Sequence, residues 1–220
     1  MDKVDSQTLL KKGAEASLFL KSWHGRKVIE KTRLPKQYRP AELDKKIRSY
    51  RTTHEPQLMH EAKRAGVSTP TIFLVNLKNM AITMEFVEGK QMKQVLPKVT
   101  RKDQQKLCLR IGELIGKMHR HGLVHGDLTT SNMILTGENK IFLVDFGLGE
   151  KNAEVEARGV DLHLMKRALQ STHYKFAEDC FKHVLKGYST VLGVEEAGKV
   201  FEKIREIERR GRYVDERKQA

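Results

Sequence analysis

Three side chains in the middle of the sequence have the types and spacing needed for chemistry on phosphate: Asp127, Asn132 and Asp145. Two short apolar runs, 133–136 and 141–144, separate Asn132 from Asp145 and flank a four-residue polar turn, which predicts a β-hairpin. In the register that this turn implies, Asn132 faces Asp145 directly, with Cβ atoms about 4.5–5.5 Å apart. Amide and carboxylate oxygens at that separation can hold one hard divalent cation, and Mg²⁺ carrying nucleotide phosphates is the expected occupant.

Asp127 supplies the third group of this set because it lies shortly before Asn132 in the same predicted loop. A carboxylate beside the cation could orient a hydroxyl or a water molecule for attack on phosphorus. Each of these elements alone is more often a turn than a site. Together, in this order and directly after a capped helix, the three side chains indicate phosphoryl transfer.

The segments that precede this set are mostly extended. Residues 9–31 contain short apolar runs between turn residues and predict a small antiparallel sheet, and residues 71–75 and 80–86 predict two further strands. Between them, residues 52–65 predict a helix that begins at a threonine pair and holds Pro56 in its first turn.

The rest of the chain shows mostly helical periodicity. Thr100 and Asp103 form a capping box that predicts the start of a helix, and Gly122 is its expected end. Further helices are expected at 161–170, at 174–186 with Gly187 as its stop, and at 194–210 with Gly211 as its stop.

Strands followed by helices predict an α+β fold with two lobes. The first lobe, residues 1–88, holds the small antiparallel sheet and one main helix. The second lobe, residues 89–220, is mostly helical and contains the catalytic loop, a short activation segment and a basic C-terminal tail. A cleft between two lobes is a natural place for a ligand.

The segments His-Gly-Asp-Leu-Thr-Thr-Ser-Asn at 125–132 and Asp-Phe-Gly at 145–147 resemble the catalytic loop and the magnesium motif of the protein-kinase superfamily. The resemblance implies a two-lobed protein-kinase-like fold with ATP and Mg²⁺ as cofactors. It also implies that Asp127 is the catalytic residue that positions the attacking group. Asn132 and Asp145 would bind the nucleotide through the metal ion as its ligands.

The superfamily also uses a lysine for the α- and β-phosphates and a glutamate that pairs with this lysine. Lys31, at the end of a predicted strand, and Glu55, in the first turn of the next predicted helix, fit these roles best, with Lys27 and Glu61 as rivals. Lys31 is therefore the second predicted catalytic residue. The remaining predicted nucleotide contacts are Met84 at the back of the adenine pocket, the backbone of Glu85 and Val87 on adenine, and Leu10, Gly13, Glu15 and Leu18.

A closer resemblance covers nearly the whole chain and rests on six segments, at 13–16, 31–39, 61–67, 159–162, 171–173 and 209–212. In these segments the sequence resembles the PRPK-type atypical kinases, the kinase subunits of the KEOPS (EKC) complex. The resemblance implies a small Ser/Thr kinase and ATPase that contacts the threonylcarbamoyl-transferase subunit and other KEOPS subunits. It further implies a role in forming threonylcarbamoyladenosine on tRNA.

Three departures from typical kinases bear on mechanism. The phosphate loop has Gly13 followed by Ala-Glu-Ala instead of further glycines, so the backbone is less open to phosphates and Glu15 could partly occupy their place. Gly126 replaces the arginine that normally pairs with the phosphate group of a phosphorylated activation loop, so control by such phosphorylation is not expected. Only sixteen positions separate Asp145 from Asp161, and the segment has no Ala-Pro-Glu. An ATPase or a kinase with restricted substrates is therefore favoured.

The composition, 39% hydrophobic and 32% charged over 220 residues, is typical of a folded globular protein and argues against a disordered one. No apolar run approaches the roughly 20 residues that cross a bilayer, and the polar N-terminal segment does not resemble a signal peptide. No membrane partner is expected, and the expected location is the cytoplasm, with the nucleus as an additional one. Cys108 and Cys180 are expected to be buried thiols in a reducing compartment.

The net charge is +14, and eleven of the lysines and arginines lie between Lys21 and Arg51, against three acids. Such a field attracts polyphosphates such as tRNA, although a solvated basic face is the ordinary interpretation. The C-terminal tail leaves the same two possibilities open, since its basic residues alternate with Glu202, Glu206 and Glu208 at salt-bridge spacing. Its basic residues are Lys203, Arg205, Arg209, Arg210, Arg212, Arg217 and Lys218.

Two other classes of protein remain as alternatives. A small-molecule phosphotransferase of the kinase-like superfamily would share the His-Gly-Asp motif, but only about 60 residues follow Asp161, few for the larger helical lobe that such enzymes use for their substrates. A non-catalytic tRNA-binding scaffold would use only the basic surface, and the intact acidic set argues against it.

Overall fold

Strands occupy the first part of the chain and helices the last part in the computed structural model, which describes residues 7–219 and the side chains of residues 7–210. The strands are β1 (Thr8–Lys12), β2 (Ser17–Trp23), β3 (Arg26–Thr32), β4 (Ile72–Asn76), β5 (Ala81–Glu85), β6 (Gly89–Gln91), β7 (Leu123–Val124), β8 (Met133–Thr136), β9 (Ile141–Leu143) and β10 (Glu150–Lys151). The helices are α1 (Ala41–Arg64), α2 (Met92–Val95), α3 (Arg101–Arg120), α4 (Val155–Thr172), α5 (Ala177–Leu192) and α6 (Val194–Gln219).

Five antiparallel strands form the first sheet, in the order β1-β2-β3-β5-β4. β3 lies at its centre, where Lys31 stands opposite Leu18 of β2 and Ile82 of β5. A central strand holds its side chains in a fixed direction because both of its edges are hydrogen-bonded. The sheet therefore fixes the direction in which Lys31 points.

Helix α1 begins eleven residues earlier than the threonine pair that was predicted as its start, so that prediction is wrong. An acidic first turn explains the earlier start, because Asp44 favours a helix N-terminus and pairs with Arg48 one turn later at 2.6 Å. Pro56 lies inside the helix, where its missing N–H leaves the carbonyl of Thr52 without a helical donor. Tertiary packing must offset this cost, about 3 kcal/mol in an exposed helix.

The packing that offsets the energetic cost of Pro56 involves one face of α1. Leu58, Met59 and Ala62 are each at most 1% exposed and belong to the main apolar core, together with Ile82 of β5. Glu55 lies on the same face, three residues before Leu58, and is also buried. The burial of this face therefore carries Glu55 to the sheet, from the middle of the helix instead of its first turn.

The hairpin of β8 and β9 is present, but its register differs by one residue from the prediction. Met133 stands opposite Leu143, so Asn132 lies opposite Val144 and not opposite Asp145. The turn has three residues instead of four, because Thr136 N–H bonds to the carbonyl of Lys140 and Asn139 takes a left-handed backbone with φ of 60°. Asp145 also has a positive φ, 66°, which turns the chain at the end of β9.

Two glycines let α3 and α5 approach closely. A Cβ on Gly112 would lie 1.9 Å from the carbonyl oxygen of Val184, and a Cβ on Gly187 would lie 1.9 Å from that of Leu109. Gly187 therefore lies inside α5 and does not end it, because the close approach of α3 requires a residue without a side chain at this position. Gly211 likewise lies within α6, and α4 begins at Val155, before the predicted position 161.

The α+β fold with a sheet-rich first part and a helical second part is confirmed. The boundary between residues 88 and 89 remains a prediction. β5 ends at Glu85, and β6, which begins at Gly89, pairs with β8 in the second sheet, whose strand order is β6-β8-β9. Within the described part of the chain, no helix has the length and apolarity to cross a membrane.

The α3–α5 contact gives a first testable expectation. Gly112→Ala should lower the free energy of unfolding by about 1–3 kcal/mol or more, because the new methyl group forces the helices apart. The matched control is Gly198→Ala in α6, where a Cβ meets no atom within 4 Å. That variant should gain up to about 1 kcal/mol from helix propensity. Urea unfolding followed by circular dichroism measures both, and equal stability of the two variants would contradict the packing argument.

Candidate active site

A cavity of about 190 Å³ opens between the first sheet and the second one. Strands β1, β2, β3 and the end of β5 contribute mostly apolar lining residues, and the charged lining residues include Lys31, Glu55 and Asp145. Of the residues predicted to bind nucleotide, nine line this cavity: Leu10, Leu18, Lys31, Glu55, Met84, Glu85, Val87, Asn132 and Asp145.

A second cavity of about 220 Å³ adjoins the first and shares Lys31 and Asp145 with it. The other three predicted residues, Gly13, Glu15 and Asp127, line this second cavity. The structure thus brings all the predicted site residues to two connected cavities.

Sequence analysis missed several residues of the first cavity. Ile29 lies two positions before Lys31 and therefore on the same side of β3, so strand alternation could have found it. Ile134 and Val144 belong to the hairpin. Because the predicted register was wrong by one residue, it did not indicate that these two side chains line the cavity. The other missed lining residues are Lys11, Pro70, Phe86, Gln91 and Ser131.

Lys31 stands at the centre of a cluster of charges. Its Nζ lies 2.8 Å from Oε1 of Glu55 and 2.6 Å from Oδ1 of Asp145. The rival candidates are elsewhere: Lys27 is exposed, and Glu61 pairs with His121 on the surface. Among the four candidates, only Lys31 and Glu55 therefore form the pair that the kinase resemblance requires.

Arg33 is the second cation of this cluster and was not predicted. Its Nη2 donates to Oε2 of Glu55, and both side chains are almost fully buried, at 3% and 1% exposure. Arg33 lies two positions after Lys31, so strand alternation places both on the same side of the chain. A buried carboxylate needs compensation for its lost hydration, and Glu55 receives it from two cations.

Asp145 is the half-exposed member of the cluster. Partial desolvation alone would raise the pKa of its carboxyl group, but the charge of Lys31 and its hydrogen bond lower the pKa below the ordinary value. Asp145 is therefore a carboxylate at neutral pH, which is the form that binds a cation.

Asn132 holds Asp127 in place. Its Nδ2 donates to the side-chain Oδ2 of Asp127 at 2.8 Å and to the backbone carbonyl of Asp127 at 3.0 Å. This orientation leaves the amide oxygen Oδ1 as the atom that could face a cation. Asn132 is thus placed to serve Asp127 and a metal ion at once.

The donor set fits a magnesium ion that carries phosphates. One amide oxygen and one carboxylate line the same cavity, and Mg²⁺ typically takes one or two protein ligands and completes its shell with water and phosphate oxygens. Among the described residues, no group of three or more His, Cys, Asp and Glu side chains forms a metal site by itself. The arrangement therefore suits a metal that arrives with a nucleotide.

Asp161 holds the catalytic loop in place through hydrogen bonds to the loop backbone. Its carboxylate accepts the backbone N–H of His125 at 2.8 Å and that of Gly126 at 2.9 Å, and its Oδ2 lies 3.0 Å from Nε2 of His119. His125 in turn links its Nε2 to the carbonyl of Val144, which joins the loop to the hairpin. These contacts give His125 a structural role in the loop.

Gly126 is required by the local geometry. Its φ is 76°, and a Cβ at this position would lie 2.1 Å from the carbonyl oxygen of Leu148. The short segment after Asp145 runs back over the loop, where β10 pairs with β7. An arginine could not occupy position 126 without moving this segment.

A second anchor holds the other end of the loop. Thr130 Oγ1 lies 3.1 Å from Nε2 of His173, and both side chains are buried. Burial lowers the pKa of His173, so its imidazole is neutral near pH 7 and can accept the threonine hydroxyl. This contact gives a physical role to the segment 171–173, for which the sequence suggested no chemistry.

A family model described as the RIO domain matches residues 21–159, more than half of the chain. The chain belongs to the RIO-domain family. This family is kinase-like, in agreement with the geometry of the site, and the residues of both cavities come from or adjoin the matched part.

Curated relatives give a narrower comparison. The KEOPS complex subunit Bud32 of Pyrococcus abyssi is 48% identical over 211 residues, which are 93% of this chain and 96% of that protein. A probable bifunctional tRNA threonylcarbamoyladenosine biosynthesis protein of Methanothermobacter thermautotrophicus is 44% identical over 94% of this chain, but the match spans only 37% of that protein. The resemblance to the kinase subunits of KEOPS is thereby confirmed.

Among solved structures, the Mycobacterium tuberculosis protein Rv3197, determined with erythromycin, matches with a TM-score of 0.51. The match covers 80% of this chain and 53% of that one at 16% identity. Such a likeness concerns the fold alone and agrees with the sheet-plus-helices architecture.

Asp161 gives the second expectation. Burial alone would raise the pKa of its carboxyl group, but the hydrogen bonds from His119 and the loop backbone lower it below the ordinary 3.8. The stabilisation is therefore fully present above pH 3.8 and is lost as the pH falls through the lower pKa of the folded protein. Asp161→Asn, which turns an amide toward backbone donors, should cost about 3–5 kcal/mol at pH 7.

Denaturant unfolding at a series of pH values measures this difference. The gap between wild type and Asp161→Asn should narrow as the pH falls below 3.8. Glu138→Gln, at a side chain that is 81% exposed, is the control and should stay within about 0.5 kcal/mol of wild type. A gap that is independent of pH would show that the charge of Asp161 is not what stabilises the loop.

Proposed function

We propose that this chain is an ATP-dependent Ser/Thr protein kinase and ATPase that acts as the kinase subunit of a KEOPS-type complex. The single observation that supports this most strongly is the meeting of Lys31, Asp127, Asn132 and Asp145 at two connected cavities. The first cavity also has the apolar lining that suits an adenine ring.

ATP is bound along the two cavities. Adenine occupies the first cavity, with Met84 at its back and the backbone of Glu85 and Val87 as hydrogen-bonding partners. Lys31, held by Glu55, binds the α- and β-phosphates. The remaining contacts to the nucleotide are those of Leu10, Leu18 and Gly13, whereas the carboxylate of Glu15 carries the same sign of charge as the phosphates.

Asn132 and Asp145 hold Mg²⁺. When bound, this ion neutralises the negative charge of the phosphates and holds them for in-line attack. The amide oxygen of Asn132 is oriented by the bond between its Nδ2 and Asp127, and Asp145 is kept ionised by Lys31. Both ligands are therefore prepared by contacts that the fold already contains.

Asp127 accepts the proton of the attacking group, a Ser or Thr hydroxyl in the kinase reaction or water in the ATPase reaction. Its carboxylate is fixed by Asn132 and lies in the same cavity wall as Lys31 and Asp145. The short segment of residues 146–154 provides little platform for a peptide, which favours a restricted substrate or ATP hydrolysis.

Membership of a KEOPS-type complex is supported by the relatives. The match to Bud32 of Pyrococcus abyssi runs over nearly the full length of both chains. In the bifunctional methanogen protein, a segment like this chain is part of one longer polypeptide, and fused domains commonly act together. The expected partners are therefore a threonylcarbamoyl-transferase subunit, other KEOPS subunits and tRNA, with threonylcarbamoyladenosine as the modification that the complex forms.

Part of the basic tail is engaged in ion pairs within the protein. Arg210 pairs with Glu156 at 2.8 Å, and Lys203 pairs with Glu156 at 3.3 Å and with Glu206 at 2.5 Å, so two of its cations are engaged within the protein. The side chains of Arg212, Arg217 and Lys218 lie outside the described residues. Contact between this tail and tRNA is a prediction that the ion pairs neither require nor prevent.

The catalytic roles can be separated by two substitutions. Asp127→Asn should lower kcat for ATP hydrolysis about 10²–10⁴-fold with little change in ATP affinity, because it removes only the proton acceptor. Asp145→Asn should weaken binding of Mg-ATP, because it removes the carboxylate ligand. Turnover assays and calorimetry on the purified chain measure both effects.

The control for these variants is Glu195→Gln, which removes one negative charge at a side chain that is 89% exposed and far from the cavities. It should behave as wild type. Unchanged turnover in Asp127→Asn would exclude the proposed catalytic role. Absence of ATP turnover by the wild-type chain, alone and with its partners, would favour a scaffold instead.

The cellular role is tested by deleting the gene and measuring threonylcarbamoyladenosine in tRNA by mass spectrometry of nucleosides. The modification should fall strongly and return with the wild-type gene but not with Asp127→Asn. Normal levels of the modification in the deletion strain, together with a phosphorylated small molecule in a substrate screen, would favour the small-molecule phosphotransferase.

A further inference from the structure

Glu15 has both carboxylate oxygens engaged by arginines. It lies in the turn between β1 and β2, at the edge of the second cavity. Its Oε1 is 3.1 Å from Nη2 of Arg39, and its Oε2 is 2.7 Å from Nη1 of Arg51. An acid therefore occupies the place where a phosphate-binding loop would receive anions, and it does so as the partner of two cations.

Arg51 is directed to the same cavity by α1. It lies one helical turn before Glu55 and thus on the same face of the helix. It lines the second cavity together with Lys31, Asp127 and Asp145, whereas Arg39 does not. Arg51 is therefore a cation beside the site of phosphoryl transfer whose present partner is Glu15.

Four cations line the second cavity, and Lys11 of β1 is exposed. The other three, Lys31, Arg33 and Arg51, have ion-pair partners that differ in how firmly they are held. Lys31 and Arg33 pair with Glu55, which is 1% exposed and fixed within α1. Arg51 pairs with Glu15, whose side chain is 44% exposed and sits in a turn. The Glu15–Arg51 pair is partly exposed, whereas the Glu55 pairs are buried, so among these three cations Arg51 exchanges its partner at the smallest cost.

We propose that Arg51 is a phosphate-binding residue of this site and that Glu15 is its displaceable internal competitor. When a nucleoside triphosphate binds, Arg51 exchanges the Glu15 carboxylate for the terminal phosphate. The inference rests on the proposed function, since it assumes that ATP occupies the two cavities, and it adds a specificity-determining residue to them.

The exchange is chemically reasonable because guanidinium groups bind phosphate through two parallel hydrogen bonds, and the terminal phosphate carries more charge than one carboxylate. Adenosine, which has no phosphate, cannot displace Glu15. Arg51 and Glu15 together would therefore select triphosphates over the nucleoside and set the apparent affinity for ATP.

A purely structural role for the same contacts makes the opposite prediction for Glu15. If the Glu15–Arg51 pair were only a strut that orders the β1–β2 turn, removing either side chain would loosen the turn and weaken ATP binding. If Glu15 is a competitor, its removal strengthens ATP binding, whereas removal of Arg51 weakens it. The sign of the Glu15 effect thus distinguishes the two roles.

Calorimetry with Mg-ATP and with adenosine tests the proposal on the full chain. Glu15→Gln should tighten ATP binding on the order of 3- to 10-fold, because no competitor has to be displaced. Arg51→Gln should weaken it about 10-fold or more, as expected for a lost charge-assisted hydrogen bond. In the double variant the gain from Glu15→Gln should vanish, and adenosine affinity should be unchanged in every variant.

Lys46→Gln is the matched control, because it removes one exposed positive charge from the same helix without touching either cavity. It should leave ATP affinity unchanged. Unchanged adenosine binding also shows that each variant is folded. If Arg51→Gln does not fold, Arg51→Lys keeps the charge and should give an intermediate loss of ATP affinity.

Two results would overturn the inference while leaving the proposed function intact: weaker ATP binding by Glu15→Gln, or an Arg51→Gln variant that binds ATP as well as Lys46→Gln does. Failure of the wild-type chain to bind either ATP or adenosine would instead refute nucleotide binding itself, and this inference with it.

Discussion

The buried pairing of Glu55 with two cations is the interaction on which the rest of the site depends. A carboxylate at 1% exposure is strongly destabilised unless opposite charges replace its hydration, and Lys31 of the central strand and Arg33, just after the end of that strand, provide them. Because Lys31 also reaches Asp145, one cation connects the sheet, helix α1 and the end of the hairpin. The positions of these three elements are therefore coupled by charge as well as by the apolar core.

A second buried acid fixes the other half of the site in the same way. Asp161 accepts hydrogen bonds from two backbone N–H groups of the catalytic loop and contacts the ring of His119. The loop can reach Asp161 only because Gly126 has a positive φ. Asn132 then sets Asp127 within that loop. The functional side chains thus stand on a framework of buried polar contacts, which explains how a small helical part with a short segment 146–154 can hold them in a defined geometry.

The sequence predicted which residues meet at the cavities better than it predicted their exact geometry. The choice of Lys31 and Glu55 rested on a family pattern, and the structure brings these two together. The direct facing of Asn132 and Asp145 was wrong by one residue, because the left-handed backbone at Asn139 shortens the turn in a way that local composition does not reveal. The interior position of Pro56 in α1 and the role of Arg33 were missed because both depend on tertiary contacts: the buried face of the helix offsets the cost of Pro56, and Arg33 pairs with a residue of that helix.

The departures from typical kinases form one consistent picture. The position of the usual loop arginine is occupied by Gly126, where any side chain would meet the carbonyl of Leu148, so phosphorylation of the following segment has no cation at this position to engage. Under the proposed exchange, control at the phosphate end would rest with Glu15 and its two arginines. In a subunit that contacts partner proteins, a bound partner could move the β1–β2 turn and with it Glu15, the proposed competitor of Arg51. Assembly of the complex would then be linked to the use of ATP without an activation loop.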